Sequence, residues 1–367
     1  MTTPLVYHIY SHADADGGIA AAIFARFITE KYGDFGWKIE INPVNHGPGQ
    51  AEWALKEIQW PCAILDFTLH PHLLSDRFFI KKQQLAEKLG DSQKIPPCYW
   101  IDHHPTGSSY PFLTAENAQQ MLPEVVTKWD VRAISTPGLL RTHHAEIGLP
   151  RSLLELYEEY TDQAEIIDGA LYATAEAAHD FFSSTIKLQT LFSSSHAIVD
   201  RNALYKKLVQ FIMKNPVLED LFDSDPLYEA IIKYEHAQHA SQMAAYIPVT
   251  QKRGNVAIAN FFHAPAHLYE GLGRFLPYLL FPEVEYAIHV MPKNKGLAGV
   301  SCGINPWNKP MGKDKHLGNF FARHFGGGGH AFVAGGKVSE DDFPLIEKLI
   351  AFIQDETGTQ PVTWPVQ

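Results

Sequence analysis

The sequence predicts an α/β protein, with a mostly parallel N-terminal sheet flanked by helices and joined by a helical connection to a smaller α/β C-terminal domain. Three observations predict it. Short apolar runs in the N-terminal part end at acid-bearing turns, and the first leads into a helix-like segment, the opening of an α/β unit. A long middle stretch reads as helices. Beyond Pro248 the texture turns to strands, then to a glycine run and a last helix.

The elements follow in order. Leu5 to Tyr10 is a short buried strand that runs into Ser11-His12-Ala13-Asp14-Ala15-Asp16-Gly17-Gly18, and a helix rich in alanine follows from Ile19 to about Tyr32. Two further apolar runs, Cys62-Ala63-Ile64-Leu65-Asp66 and Cys98-Tyr99-Trp100-Ile101-Asp102, each stop at an aspartate. Ligands of open α/β sheets sit beyond the carboxyl ends of strands, so these acids are expected in one crevice. Leu153 to Phe182 reads as largely helical, and Asp200 to Tyr246 as helices broken at Pro216 and at Asp223-Ser224-Asp225-Pro226. Strands are expected at Val256 to Phe262, Tyr286 to Met291 and Gly299 to Ile304, then Gly326-Gly327-Gly328-Gly329-His330 and a helix from Asp342 to Asp355.

A chain of 367 residues is too long for one ordinary core and suggests two domains. The expected division is 1–195 for the first, 196–247 for the helical connection, 248–355 for the second and 356–367 for a loose tail. With 46% hydrophobic and 19% charged residues the chain packs rather than staying disordered. A net charge of -11 argues against a duplex DNA partner, which calls for a basic face. Acidity does not exclude a phosphate ligand, because a divalent ion held by carboxylates inverts the local field. The three cysteines, Cys62, Cys98 and Cys302, form no C-x-x-C pair and read as small buried hydrophobes. Met1 to Tyr10 lacks the pattern of a signal peptide, and no run reaches the ~20 apolar residues of a membrane span, so the expected compartment is the cytoplasm. Oligomeric state is left open.

The chemistry concentrates near the strand ends. His12, Asp14 and Asp16 alternate, which in extended backbone puts all three on one side. Two carboxylates aimed together repel unless a cation lies between them, although a solvated polar loop is the bland reading. Gly17 and Gly18 allow a tight turn and close approach to a ligand. In Asp102-His103-His104, one histidine can ligate metal while the other faces substrate, and the aspartate can orient a histidine. Imidazole plus carboxylate without thiolate suits manganese, magnesium or iron. Asp168, between isoleucines and small residues, reads as a buried acid needing a partner; Asp162 competes for that role.

These motifs, His12-x-Asp14-x-Asp16-Gly17, then Asp66, Asp102-His103-His104 and Asp168, resemble the four motifs of the DHH phosphoesterase superfamily. The Gly326–His330 run followed by Ala334-Gly335-Gly336 resembles the glycine-rich signature of the domain that often follows it. The resemblance spans about Tyr7 to Val338. It implies two divalent ions, most often Mn2+ with Mg2+ as the other option, and hydrolysis of a phosphate ester or anhydride by two-metal activation of water. By the same analogy His12 and Asp14 hold one ion, Asp16, His103 and Asp168 hold the other, and Asp66 bridges them. His104 faces the scissile phosphate with Asp102 behind it. Gly327, Gly328, Gly329, His330, Ser301 and Arg323 are the expected substrate contacts. The implied substrate is a nucleotide or short oligonucleotide, with polyphosphate or pyrophosphate as the alternative and a non-catalytic phosphate-binding module as a different class. The chain departs from the family at Val300-Ser301-Cys302-Gly303, where many relatives carry an arginine after the serine; Arg274 and Arg323 are the candidate substitutes.

Overall fold

The computed structural model describes residues 4–45, 58–69, 73, 77–104, 112–194, 200–293, 296–310, 315–329 and 331–354. The chain forms two compact units, Met1–Leu171 with Phe182–Ile232, and Tyr172–Phe181 with Lys233–Gln367.

The first unit is built on a five-stranded sheet of β1 (Leu5–His12), β2 (Trp37–Val44), β3 (Cys62–Leu65), β4 (Cys98–Asp102) and β5 (Val125–Trp129). Its order is β2-β1-β3-β4-β5, and every neighbouring pair is parallel. Strand period then divides the side chains between two layers. Tyr7, Ile9, Ala63, Leu65, Tyr99 and Ile101 join the core that contains α1 (Ala15–Tyr32). Tyr10, Cys62, Ile64, Cys98 and Trp100 join the other, with Phe67, Leu69 and Leu122. Strands covered on both faces read as continuous apolar runs, which is why β3 and β4 were predictable. Cys62 and Cys98, distant in sequence, meet across β3 and β4 with Sγ atoms 3.4 Å apart, and all three cysteines are free and buried.

Helix α1 begins four residues earlier than the sequence predicts, at Ala15. Its N-cap is Asp14, whose Oδ1 accepts a 2.9 Å hydrogen bond from Gly17 N. Asp16 therefore lies in the first helical turn, and the expected extended run through His12, Asp14 and Asp16 does not form. The three side chains reach one crevice as strand end, cap and first turn. Gly17 serves that geometry rather than a ligand: a Cβ there would stand 2.2 Å from the His12 carbonyl oxygen.

Four more helices of this unit matter below: α2 (Thr136–Thr142), α3 (Glu158–Asp168), α4 (Ser184–Ser193) and α5 (Arg201–Lys214). The stretch from Leu153 to Phe182, expected to be largely helical, is helical as Arg151–Leu156 and α3, then turns with one short helical turn at Ala177–His179. Helix α3 stops because Gly169 and Ala170 follow Asp168, with Ala170 in the left-handed region at φ 52°. Helix α6 (Pro226–Tyr246) starts in the first unit and ends in the second.

The second unit carries a mixed sheet of β6 (Thr250–Arg253), β7 (Val256–Asn260), β8 (Tyr286–Pro292), β9 (Leu297–Ile304), β10 (Gly328–Gly329) and β11 (Val333–Ser339), in the order β10-β11-β9-β8-β7-β6. Only β7–β8 is parallel. One face packs Ile258, Ile288, Val300 and Cys302 against α7 (Leu317–His324) and α8 (Pro344–Gln354) through Leu317, Phe321, Ile346 and Leu349. The other gathers Tyr246, Ala259, Phe261 and Leu276. The excursion Tyr172–Phe181 is fastened within this unit. Trp307 Nε1 donates to the Tyr172 carbonyl at 2.9 Å, and the His179 ring stacks on His239 at 4.7 Å. His239 is buried in this contact. Among the described residues no helix is long and apolar enough to cross a membrane.

Candidate metal centre

Carboxylates and imidazoles gather where β1, β3 and β4 end. His12 Nδ1 lies 2.6 Å from Asp14 Oδ2 and 3.7 Å from Asp66 Oδ2. His103 Nε2 lies 3.2 Å from Asp16 Oδ2, 3.3 Å from Asp66 Oδ1 and 3.7 Å from Asp168 Oδ2. Three overlapping sets could each hold a metal ion, their ligand atoms within 4.8 Å of one another: His12, Asp14 and Asp66; Asp16, His103 and Asp168; Asp66, His103 and His104. Asp66 belongs to two of the three. Asp162, the competitor of Asp168, is engaged with Arg141 at 2.7 Å.

Each donor is held by its element. Asp66 sits one residue beyond β3 with φ 55°, a left-handed conformation uncommon outside glycine, so the chain turns sharply and aims its carboxylate back into the crevice. Its N–H donates to the Ile101 carbonyl at 2.9 Å. His103 Nδ1 lies 3.3 Å from the Ala133 carbonyl, which accepts only if that nitrogen carries the proton. Nε2 is thereby the nitrogen aimed at the carboxylates, which hold a proton on it without metal and where its lone pair would meet a bound ion. Asp102, fully buried, is 2.8 Å from His104 Nδ1 and accepts from the backbone N–H of His103 and His104 at 2.9 and 3.2 Å. Its pairing fixes the ring of His104, and Trp129 Nε1 anchors the His104 carbonyl at 2.8 Å. The two imidazoles do not diverge: both approach Asp66 Oδ1, with ring centroids 4.6 Å apart.

The electrostatics describe acids balanced by imidazoles. Asp16 is 2% and Asp66 1% exposed, and among the described residues their ion pairs run to histidines, not to lysine or arginine. Burial, then the Asp66 charge, pushes Asp16 well above the usual carboxyl range. Asp168 is half-buried, its side chain 34% exposed, rather than the buried acid the sequence suggests, and that partial burial raises it to about 6. Burial opposes charge at Asp66 too, but contacts with His103 and His12 outweigh it and hold that carboxyl low. Burial lowers the two imidazoles; the acids override it and raise His12 to about 10 and His103 to about 12. Asp66 Oδ2 and His103 Nε2 are buried without a hydrogen bond of normal geometry. Buried carboxylates and imidazoles converging on one another, with oxygen and nitrogen donors only, fit hard or borderline divalent ions, which would displace the imidazole protons.

One support is not legible in the sequence. Thr136 N donates to both oxygens of Asp16 at 3.0 and 3.1 Å, and its hydroxyl donates to Asp66 Oδ1 at 3.1 Å. Ser135-Thr136-Pro137 carries the signal of a helix start, a capping serine with proline in the first turn, yet nothing in it names its target 120 residues away.

The expected substrate contacts lie in the second unit. Ser301 on β9 pairs with Gly335 of β11, and Gly328 of β10 pairs with Gly335 from the other side. Arg323 is exposed in the last turn of α7. A Cβ on Gly327 would stand 2.0 Å from the Gly335 carbonyl oxygen, so this glycine permits close chain packing. Gly329 ends β10, and His330 lies outside the described residues. Arg274 lies over the Phe275 ring at 4.9 Å.

No family model matches the chain, and no curated protein matches it. Solved structures do. PggH, a pGpG-specific phosphodiesterase from Vibrio cholerae, is similar with a TM-score of 0.62 at 15% identity, over 96% of this chain and 100% of that one. RecJ from Thermus thermophilus, in complex with Mn2+, gives 0.51 at 15% identity, over 97% of this chain but 53% of RecJ. CDC45 from Entamoeba histolytica gives 0.50 at 8% identity, over 96% of each chain. A parallel five-stranded sheet with acids and histidines at its strand ends, a second mixed sheet, and these likenesses together give the chain the fold that PggH, RecJ and CDC45 share.

Proposed function

We propose that the protein is a metal-dependent phosphoesterase that hydrolyses a phosphodiester or phosphoanhydride bond, acting on a nucleotide or short oligonucleotide. The observation that carries this reading is the three overlapping ligand sets at one crevice, with Asp66 in two of them and 3.3 Å from His103 of the third. His12 and Asp14 would hold one ion, Asp16, His103 and Asp168 the other, and Asp66 both. Divalent ions held there, Mn2+ or Mg2+, would supply Lewis acidity to a water and charge neutralisation to a phosphate. The chain supplies the rest. Thr136 keeps Asp16 and Asp66 oriented. Asp102 holds the His104 ring, which as an imidazolium would give a proton to a leaving oxygen. Ser301, Gly327, Gly328, Gly329, His330 and Arg323 are the proposed substrate contacts.

The substrate class is supported by analogy: PggH is described as specific for pGpG, and RecJ was crystallised with Mn2+. Polyphosphate or pyrophosphate is the second reading, favoured by Cys302 in the position where an arginine would follow Ser301. A binding module without catalysis is disfavoured because every donor position is filled. The test is phosphate or nucleotide release with Mn2+ from a dinucleotide, a short RNA, a cyclic dinucleotide, pyrophosphate and polyphosphate. One substrate should be cleaved, and Asp16→Asn should lower that rate by at least about 100-fold. Silence of the wild type across the panel, with two ions bound, would sink the hydrolase reading.

A further inference from the structure

Tyr205 makes an arrangement that neither the motif nor the fold requires. Its phenol is buried on α5, 3% exposed, with its ring edge-on to Phe192 at 5.7 Å. The hydroxyl lies 2.9 Å from the His12 carbonyl, to which it donates, and 2.7 Å from Ser11 Oγ. A phenol has one proton. With that proton on the His12 carbonyl, the Ser11 hydroxyl must donate its own to the phenol oxygen. Burial pushes the Tyr205 phenol well above its ordinary range, so it keeps its proton.

The His12 carbonyl is therefore seated from two sides. Gly17 leaves it room on the α1 side, where a Cβ would stand 2.2 Å away, and Tyr205 binds it from α5. Ser11 and His12 are the last two residues of β1, and Asp14 follows two residues on as the cap of α1. The backbone that aims the His12 ring at Asp14 and Asp66 is thus pinned by a residue 193 positions away.

We infer that Tyr205 is a positioning residue for the His12–Asp14 half of the metal centre, setting the affinity of that ion and not of the ion at Asp16, His103 and Asp168. The inference rests on the metal reading above. A ring donor must be held in place to bind tightly, and loss of a partner that orients a ligand weakens metal binding by roughly 10–100-fold.

Tyr205→Phe keeps the ring and removes the hydroxyl. Mn2+ titration of the full chain, followed calorimetrically and by the electron paramagnetic resonance of free Mn2+, should show one ion bound about 10–100-fold more weakly and the other unchanged. The weakened ion should be the one lost in His12→Ala. Tyr157→Phe is the control. That phenol donates to the Met213 carbonyl near the far end of α5 at 2.7 Å, so its removal loosens the same helix without touching His12. Both ions should bind Tyr157→Phe as they bind the wild type. Ser11→Ala, which removes the donor to the phenol, should weaken the same ion and carries the test if Tyr205→Phe does not fold. Unchanged affinities in Ser11→Ala together with unchanged affinities or no fold in Tyr205→Phe overturn the inference. So does equal weakening in Tyr157→Phe, which would mark a loosened helix. A wild-type chain that binds no Mn2+ strikes the metal reading itself, and is told apart because it needs no variant.

Discussion

At the scale of single residues, Asp66 is where strain and charge coincide. Its φ of 55° costs energy for a residue with a Cβ, and its carboxylate is buried among other acids. Asparagine tolerates the same left-handed backbone, so Asp66→Asn removes the charge without forcing the turn. The expected outcome is that Mn2+ titration loses both ions while circular dichroism and the unfolding midpoint without metal stay near wild type. Retention of either ion at wild-type affinity would refute a shared ligand. What was legible at this scale follows from chemistry that is local. An acid ending an apolar run stands out, so Asp66 and Asp102 could be read from the sequence, as could His12 and Asp14. Thr136 and Tyr205 could not. A threonine or tyrosine acquires meaning only from its distant partner, and no spacing records that. The Asp162–Asp168 choice likewise turned on a partner, Arg141, that sequence does not display.

At the scale of elements, legibility tracks burial. β3 and β4 are buried on every residue and read as apolar runs. β2 escaped notice because it is the edge of the sheet: Lys38 and Glu40 face outward, and Pro43 interrupts the apolar pattern at the edge position where proline is tolerated. Helix α1 starts earlier than the sequence suggests for a related reason. Glycines usually argue against a helix interior, yet Gly17 and Gly18 are in its first turn because packing leaves no room for a Cβ: Gly18 would stand 2.3 Å from the Phe192 ring. This gives a prediction for the strand–helix junction. Gly17→Ala should raise local helix propensity yet destabilise the first unit by about 2 kcal/mol, because overpacking against the His12 carbonyl costs more than propensity returns. Urea denaturation measures it; a variant as stable as wild type would show that the junction can yield.

At the scale of the whole molecule, two units with separate cores predict two calorimetric transitions. Every proposed metal ligand lies in the first unit. Mn2+ should therefore raise only the transition of that unit, by mass action on its folded state. Acid should act on the other. His289 is buried beside Tyr246, whose hydroxyl is 2.9 Å from its Nε2, and burial lowers its pKa to about 4; burial and then His239 lower His179 to about 4. A folded pKa below the unfolded value of about 6.5 means that the unfolded chain takes the proton first. The stability is complete above pH 6.5 and lost as pH falls toward 4, by about 3 kcal/mol for the fully buried His289. A transition of the second unit that holds constant from pH 7 to pH 4.5 would contradict this assignment.

The excursion of Tyr172–Phe181 has a bearing on how this chain can be taken apart. The backbone passes between the units three times, after Leu171, after Phe181 and after Ile232. One scission cannot yield two whole halves. A fragment ending at Ile232 would keep the excursion but lose the His239 ring on which His179 stacks, and a fragment starting at Lys233 would lack the carbonyl that Trp307 binds. Limited proteolysis should therefore nick the molecule without releasing a stable second unit, and its recovery as an independent folder would call for residues 172–181 to be supplied by a linker or as a peptide.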